Sequence, residues 1–418
     1  MRRIALITEH SLRCVQQAAI DTCDSGAQLL QLALQLGRRG YQVDLYTPQR
    51  AGQELAQRQW APGVCEYALP CGGVHPVDPR RLPSLMREFG AAVRSHMRHA
   101  MPQHALIHAA SLPAGLAASV VAESGLPMLL SVQTAVAPGA ERWLRLLRTP
   151  ASVLTRAERI LVSNGDELAT LAATHPATLR KIEVLPPGFD PQDFRNIDVG
   201  VARARLRWQA DAYTILHFCP YAPHEGLELL LRALAELHRE GLPQARLQVY
   251  SHSDAGSDDT APVQRRLRAM ARAFGVEDAV QFGGGLRRRA VRYYYHGADV
   301  YVALPCEDAR SLDVLGALAC GLPVIGSTRG GAHNLIVKGV NGYRLDEHDP
   351  YKLARRLKWL AEHPALRVSM AEAARRKAYG EHAWRVLGAR LAGLYEQVLR
   401  GRETAQPRSR RRAAELSS

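Results

Sequence analysis

Residues 186–191 read Pro186-Pro187-Gly188-Phe189-Asp190-Pro191 and decide how the chain is organised. Three prolines and a glycine within six residues cannot continue a strand or a helix, so they predict a junction between two structural units. On both sides of this junction, short apolar runs alternate with longer helical patterns. The sequence therefore predicts two α/β halves of similar size.

The alternation begins at the first residues of the chain. Apolar runs at residues 4–7 and 43–46 flank a helical pattern at residues 29–38, and the alternation restarts after the junction at residues 214–218. This order is typical of parallel, doubly wound sheets, whose ligands bind outside the carboxyl ends of the strands. Two such halves facing each other predict a ligand in a central cleft. The other predicted strands are 106–108, 128–132, 160–163, 182–185, 247–250, 280–282, 300–304 and 324–326.

Composition and charge narrow the class of protein. Of the 418 residues 47% are hydrophobic and 22% are charged, as in ordinary globular proteins, and the net charge is +14. That charge fits nucleic acid, an anionic membrane, an acidic small molecule, or simply a solvated surface. The seven cysteines are odd in number and form no C-x-x-C pair, which predicts a reduced cytoplasmic compartment and no zinc site.

Several stretches, taken in order, resemble the GT-B glycosyltransferases of family 4, within the branch of sucrose-phosphate synthase and the group 1 transferases. Residues 7–10 (ITEH) and 24–28 (DSGAQ) resemble its opening strand and glycine loop, and residues 185–190 its interdomain segment. Residues 291–303 (VRYYYHGADVYVA) and 319–327 (ACGLPVIGS) resemble the surroundings of its donor site. Further matches are Gly330-Gly331, Asn341-Gly342-Tyr343 and Trp384.

The resemblance covers residues 1 to about 399 and implies the GT-B fold, in which two Rossmann-like domains face a central cleft. Residues 1–188 would form the acceptor-side domain and residues 189–380 the nucleotide-sugar donor-side domain. A helix at residues 381–400 would cross back to the first domain. Residues 401–418 are polar and basic, which predicts a disordered tail.

The resemblance also implies a chemistry. The family transfers a sugar from a nucleotide diphosphate donor with retention at the anomeric carbon, and it uses neither a metal nor another cofactor. Cations and helix N-termini stabilise the leaving diphosphate. Here the family's Arg and Lys positions are held by Pro220 and Glu225, and only the following Gly226 is kept.

Other positions of the family's site have also changed. Its two glutamates before the A-C-G stretch correspond to Asp308 and Gly316, and its histidine in the first domain corresponds to Gln133. A double glycine in the first domain is reduced to Gly26-Ala27. We therefore take Asp308 and Gln133 as the candidate catalytic residues, and Gly26 and Gly226 as candidates for donor binding.

Other groups are placed to replace the missing cations. Arg310 and Ser311 precede a helix that begins near Leu312, and a helix N-terminus beside an arginine suits an anion. The hypothesis is that Arg310 and the amides of Leu312 and Asp313 bind a phosphate group. The alternative is that Arg310 is a solvated surface residue. Additional donor-site candidates are Gly330, Gly331, Arg329 and His224.

The sequence leaves three functional interpretations open. The first is transfer from a nucleotide-sugar to a glycan or lipid acceptor in polysaccharide or glycoconjugate synthesis. The second is a catalytically inactive pseudo-glycosyltransferase that binds a nucleotide, a glycan or an active transferase. The third, epimerisation or phosphorolysis on the same fold, also needs a phosphate clamp. Whether the protein is an enzyme is therefore undecided at this stage.

Two basic stretches bear on partners. Residues 142–148 (RWLRLLR) form a basic amphipathic pattern that, with the arginines of the tail, predicts peripheral binding to the anionic inner face of a membrane. The alternative is a helix packed on its own domain. Residues 287–292 are arginine-rich and precede three tyrosines, but the family's pattern makes those tyrosines partly core. We therefore predict no nucleic-acid partner.

Overall fold

The computed structural model forms two compact units. It describes residues 1–10, 12, 25–49, 55–71, 80–99, 101–132, 150–218, 225–251, 261–284, 286, 288–304, 311–328, 334–345 and 349–415. The first unit comprises the described residues up to Pro187 together with those from Trp384 onward, and the second comprises Gly188–Ala383. The chain passes between the units within the proline-rich stretch quoted above.

The first unit is built on an eight-stranded sheet with the order β3-β4-β2-β1-β5-β6-β7-β8. All neighbouring strands are parallel except β3 and β4, which form an antiparallel hairpin at one edge. The strands are β1 Arg3–Ile7, β2 Gln42–Gln49, β3 Ala56–Ala61, β4 Val64–Pro70, β5 His104–Ala109, β6 Met128–Val132, β7 Arg159–Val162 and β8 Ile182–Val184. The helices are α1 Ser25–Gly37, α2 Leu82–Met97, α3 Leu112–Ala122, α4 Pro150–Arg156 and α5 Gly165–Thr174.

The central strand β1 shows why the sheet has a core on both faces. Its side chains alternate, so Ala5 and Ile7 join one apolar cluster with α2 and α3, while Ile4 and Leu6 join another with α1. All four residues are fully buried. A strand covered on both faces needs a continuous apolar run, which is the pattern in the sequence.

The hairpin of β3 and β4 has no counterpart among the strands predicted from the sequence. In β3, alternate residues are exposed, and its sequence AQRQWA is too polar to read as a buried strand. Glu66 of β4 is buried and accepts hydrogen bonds from Thr47 Oγ1 (2.9 Å) and Trp60 Nε1 (3.0 Å). These tertiary contacts hold a polar edge strand that its own composition does not reveal.

The second unit has a six-stranded, fully parallel sheet with the order β11-β10-β9-β12-β13-β14. The strands are β9 Tyr213–Phe218, β10 Ala245–Tyr250, β11 Val280–Gly283, β12 Val300–Ala303, β13 Val324–Ser327 and β14 Gly342–Leu345. The helices are α6 Val199–Leu206, α7 Glu225–Arg239, α8 Ala261–Ala273, α9 Arg288–Gly297, α10 Ser311–Ala319, α11 Pro350–Glu362 and α12 Pro364–Lys377. Two parallel α/β sheets confirm the predicted fold class.

The last helix, α13 (Trp384–Glu415), packs on the first unit. Its apolar stripe, which includes Leu387, Leu391 and Tyr395, is buried in the same cluster as α1. The helix runs past residue 401, where the sequence predicts a disordered tail. At the start of this extension, Arg402 binds the carboxylate of Glu158 at 2.9 Å and the carbonyl oxygen of Gly125.

No helix in the described part of the chain combines the length and the apolar character needed to cross a bilayer.

Candidate functional site

The donor-side candidates lie at the carboxyl ends of two adjacent strands in the second unit. Strand β9 is followed by α7 and strand β12 by α10, and β9 pairs with β12 in parallel. Gly226 is the buried second residue of α7, while Ser311, Leu312 and Asp313 form the first turn of α10. The structure therefore brings two predicted groups to the same edge of the sheet, at two helix N-termini that carry partial positive charge.

The first turn of α10 also contains an acidic residue, Asp313. Asp313 is buried with 8% exposure and lies close enough to His217 of β9 to raise the pKa of that imidazole. Burial outweighs this effect and lowers the pKa of His217, whose Nδ1 donates to the Val302 carbonyl oxygen at 2.7 Å. A carboxylate in this turn opposes a phosphate bound to the same amides. The phosphate hypothesis therefore depends on Arg310 to offset Asp313.

Gly316 lies one turn further along α10, at the position for which the family resemblance implies a ribose-binding glutamate. A Cβ atom at Gly316 would lie 2.9 Å from the Cε2 and Oη atoms of Tyr295. The Tyr295 side chain is buried, and its hydroxyl donates to the main-chain oxygen of Asp313 at 2.9 Å. The ring thus fills the space that a side chain at position 316 would need.

Several sequence candidates lie outside the described residues, and their roles stay predictions. They are Gln133, Asp308, Arg310, Gly330 and Gly331, together with Pro220, His224 and Arg329.

In the first unit, a polar cluster that was not predicted from the sequence lies at the carboxyl ends of β1 and β5. Ser111 caps α3 by accepting from the amide of Ala114 (3.1 Å), and its hydroxyl donates to Glu9 Oε2 at 2.5 Å. The Glu9 carboxylate is mostly buried, and its Oε1 lies 3.4 Å from Nε2 of the half-exposed His10. The feature of the sequence that could have indicated this cluster is that Thr8, Glu9 and His10 directly follow a buried strand.

Gly26 lies in the same unit as this cluster. It is the buried second residue of α1, as Gly226 is of α7. In each unit, the helix after the first strand therefore has a glycine at its second position.

A second polar network is buried in the first unit, where it joins strands β5 and β6 to helix α13. His108 of β5 has Nδ1 at 2.7 Å from the Tyr395 hydroxyl and Nε2 at 2.8 Å from Ser131 Oγ. Complete burial lowers the pKa of His108 to about 4, so the ring is neutral at pH 7. This network ties helix α13 to strand β6, which ends one residue before Gln133.

Metal ligands would be expected to cluster. Among the residues that the structure describes, no three His, Cys, Asp or Glu side chains come together in a way that could hold a metal ion.

Two family models match the chain, one for each unit. The model described as Glycosyltransferase Family 4 matches residues 25–193, and the model described as Glycosyl transferases group 1 matches residues 200–377. The chain therefore belongs to the GT-B glycosyltransferases of family 4. This confirms the resemblance seen in its motifs.

Curated relatives match over nearly their whole length. The D-inositol 3-phosphate glycosyltransferase of Acidothermus cellulolyticus is 28% identical over 417 residues, covering 97% of this chain and 92% of the relative. The D-inositol 3-phosphate glycosyltransferase 1 of Catenulispora acidiphila is 26% identical over 408 residues, covering 96% of each.

Solved structures share the fold at lower identity. Sucrose-phosphate synthase from Thermosynechococcus elongatus superposes with a TM-score of 0.73 at 20% identity, covering 96% of this chain and all of the other. Anabaena HepE, solved in complex with UDP and glucose, gives a TM-score of 0.65 at 16% identity, covering 95% of this chain and 99% of HepE.

Proposed function

We propose that this protein transfers a sugar from a nucleotide-sugar donor to a hydroxyl group of a glycan or lipid acceptor, in the synthesis of a polysaccharide or glycoconjugate. The observation that carries the proposal is the matched pair of helix starts, in which Gly26 and Gly226 are each buried at the second position of α1 and α7. Glycine there lets a sugar or phosphate approach the backbone closely. The relatives' names support glycosyl transfer, and the UDP held by HepE supports a nucleotide-sugar donor.

On the donor side, the protein must stabilise the charge that builds on the leaving diphosphate. The N-termini of α7 and α10 supply partial positive charge at adjacent strand ends. The family's Arg and Lys are replaced, so we assign the missing full charge to Arg310. Asp308 and Gln133 would contact the transferred sugar. This clamp is weaker than the family's, and we expect slow turnover.

On the acceptor side, the charge of the Glu9 carboxylate restricts which chemical groups of an acceptor can lie beside it. Its carboxylate is held by Ser111, and an acceptor hydroxyl can donate to the oxygen that faces His10. A phosphate in contact with Glu9 would be repelled. We therefore propose that the acceptor presents neutral hydroxyls here, unlike the phosphorylated inositol in the relatives' names.

The test combines binding and turnover. The purified protein is titrated calorimetrically with UDP, GDP and ADP and their glucose or mannose conjugates, and transfer from any bound donor is then followed by mass spectrometry. Arg310→Ala should weaken nucleotide binding at least tenfold, and Arg266→Ala, which removes an exposed arginine of α8, should not.

Transfer to an added glycan or lipid would support the proposal. Binding without turnover would instead indicate the non-catalytic role. A folded protein that binds none of the panel would contradict both.

A further inference from the structure

One face of the sheet in the second unit is covered by a layer of three helices. Helix α7 contacts both α8 and α11, and leucines of all three helices share one apolar cluster with strands β9 and β10. The exposed sides of the helices point away from the sheet and form a surface that we call the outer helix face. It consists of the exposed residues of α7 (225–239), α8 (261–273) and α11 (350–362).

Helix α11 has an aromatic and basic stripe on this face. Tyr351, Arg355 and Trp359 follow one another at intervals of four residues, which places them along the side of the helix opposite its buried leucines. Tyr351 is 57% exposed and Trp359 is 45% exposed. The Trp359 indole stacks on the imidazole ring of His363, with the ring centroids 3.7 Å apart. The stripe therefore offers apolar area from rings that lose little side-chain entropy when they are covered.

The charges on the outer helix face are unbalanced. In these three helices, every carboxylate whose side chain the structure describes forms an ion pair, and α8 has no acidic residue. In contrast, Arg265, Arg268 and Arg355 are exposed and form no ion pair within the described part of the chain. Positive charge therefore remains beside the two aromatic side chains. The ion pairs are Glu228 with Arg232, Glu236 with Arg239, and Glu362 with Lys358.

This combination of side chains restricts the partner. An uncharged glycan could stack on the aromatic rings but would leave the arginines without a role. A second copy of the chain, paired about a two-fold axis through the middle of the stripe, would bring the two Arg355 side chains together, and like charges repel. An anionic lipid surface accounts for both features, because its headgroups attract arginine while tryptophan and tyrosine favour the headgroup level.

We propose that the outer helix face binds peripherally to a membrane surface that contains anionic lipid. Tyr351 and Trp359 lie at the level of the headgroups, and Arg265, Arg268 and Arg355 face the lipid phosphates. This surface is distinct from residues 142–148, for which the sequence predicts membrane binding and which lie outside the described residues. The inference does not depend on the proposed transferase activity.

Cosedimentation of the full-length protein with lipid vesicles tests the role of charge. The vesicles consist of phosphatidylcholine alone or of phosphatidylcholine mixed with phosphatidylglycerol. We expect at least about tenfold tighter binding to the mixed vesicles at low salt. Raising the ionic strength from about 0.1 M to 1 M should remove most of this preference, because the screening length falls from about 10 Å to 3 Å.

Charge reversal locates the binding surface. Combining Arg268→Glu with Arg355→Glu should weaken binding to the mixed vesicles at least about tenfold, because two attractions become two repulsions. The control combines Arg38→Glu with Arg180→Glu, at two exposed positions of the first unit. This control changes the net charge of the protein by the same amount and should lose much less affinity. Thermal unfolding without lipid checks that both proteins are folded.

Fluorescence quenching tests whether Trp359 reaches the lipid. In mixed vesicles whose acyl chains carry bromine, the tryptophan fluorescence of the bound protein should be quenched. Trp359→Phe should keep most of the binding, since phenylalanine is also aromatic, and should lose most of the quenching. Trp143→Phe, in the basic stretch at residues 142–148, should leave the quenching intact.

Three results would overturn the proposal. The first is no binding to mixed vesicles at low salt, even if the protein retains DNA or another polyanion. The second is an equal loss of binding in the two charge-reversed proteins. The third is quenching that persists in Trp359→Phe and disappears in Trp143→Phe.

Discussion

The aromatic ring of Tyr295 lies directly against Gly316, so that a methyl group on this glycine would come within 2.9 Å of the Tyr295 Cε2 and Oη atoms. The Tyr295 hydroxyl is held by its hydrogen bond to the main-chain oxygen of Asp313. Residue 316 is thus a packing position in this chain, whereas the family resemblance assigns it to ribose binding.

The first prediction concerns this packing. Gly316→Ala should lower the free energy of unfolding by about 1–3 kcal/mol, because a buried ring must shift to make room. Gly393→Ala in α13 is the control, since nothing lies within 4 Å of its Cβ position, and it should raise stability by up to about 1 kcal/mol. Urea unfolding measures both. If Gly316→Ala and Gly393→Ala changed the free energy of unfolding equally, the Tyr295 ring would have to move aside without cost, which would contradict the prediction.

The second prediction concerns the pH dependence of stability. The pKa of His108 is lowered to about 4 in the folded protein, below its ordinary 6.5, so protonation favours the unfolded chain. Stability should therefore fall as pH drops from about 6.5 towards 4, with His108 contributing about 2 kcal/mol by pH 5. His296, whose pKa burial also lowers to about 4, adds in the same direction.

His108→Gln separates the contribution of His108, because glutamine can still donate to one neighbour and accept from the other. The difference in unfolding free energy between pH 7.5 and pH 5 should be smaller in this variant than in the unmodified protein. His99→Gln, at an exposed position, is the control. An unchanged pH dependence in His108→Gln would show that His108 does not titrate in this range.

The third prediction concerns an ion pair in the second unit. Asp299 Oδ2 accepts from Arg203 Nη2 at 2.7 Å and from the amide of Thr214 at 2.8 Å. Both side chains are largely buried, so Asp299→Ala leaves an uncompensated charge and should cost about 3 kcal/mol. The exposed pair of Glu228 and Arg232 in α7 is the comparison, and Glu228→Ala should cost about 0.5 kcal/mol or less. Thermal and urea unfolding measure the stability of both variants. A similar loss of stability in Asp299→Ala and Glu228→Ala would contradict the prediction.

The fourth prediction rests on the proposed function. Glu9→Gln removes the charge that would bind an acceptor hydroxyl, so the KM for acceptor should rise roughly 10–100-fold, as expected for losing one hydrogen bond to a charged group. The affinity for the donor should not change. Glu123→Gln, whose exposed carboxylate pairs with Arg94, is the control. A loss of donor binding in Glu9→Gln, or unaltered acceptor kinetics, would remove Glu9 from the acceptor site.

Most of the strands could be predicted, because a buried strand needs a run of apolar residues that is visible in the sequence. The run at residues 4–7 is apolar throughout since β1 has a core on each face. The edge strand β3 has no such apolar run, because half of its side chains face away from the core. Likewise, the contact of Arg402 in α13 with Glu158 joins residues that are 244 positions apart in the sequence.

The candidate site divides in the same way. Gly26 and Gly226 could be found through the family resemblance, and the start of α10 could be found because helix starts have local signatures. The pairing of Glu9 with Ser111 and the contact of Tyr295 with Gly316 could not, because each joins residues that only the folded chain brings together.

The two α/β units, their junction and the family could all be inferred from the sequence alone, since they follow from the periodicity of apolar residues and from short motifs. The surroundings of each polar side chain, in contrast, follow from the way the folded chain packs. The neutral state of His108, for example, depends on burial, and burial is a property of the packed chain rather than of any local segment.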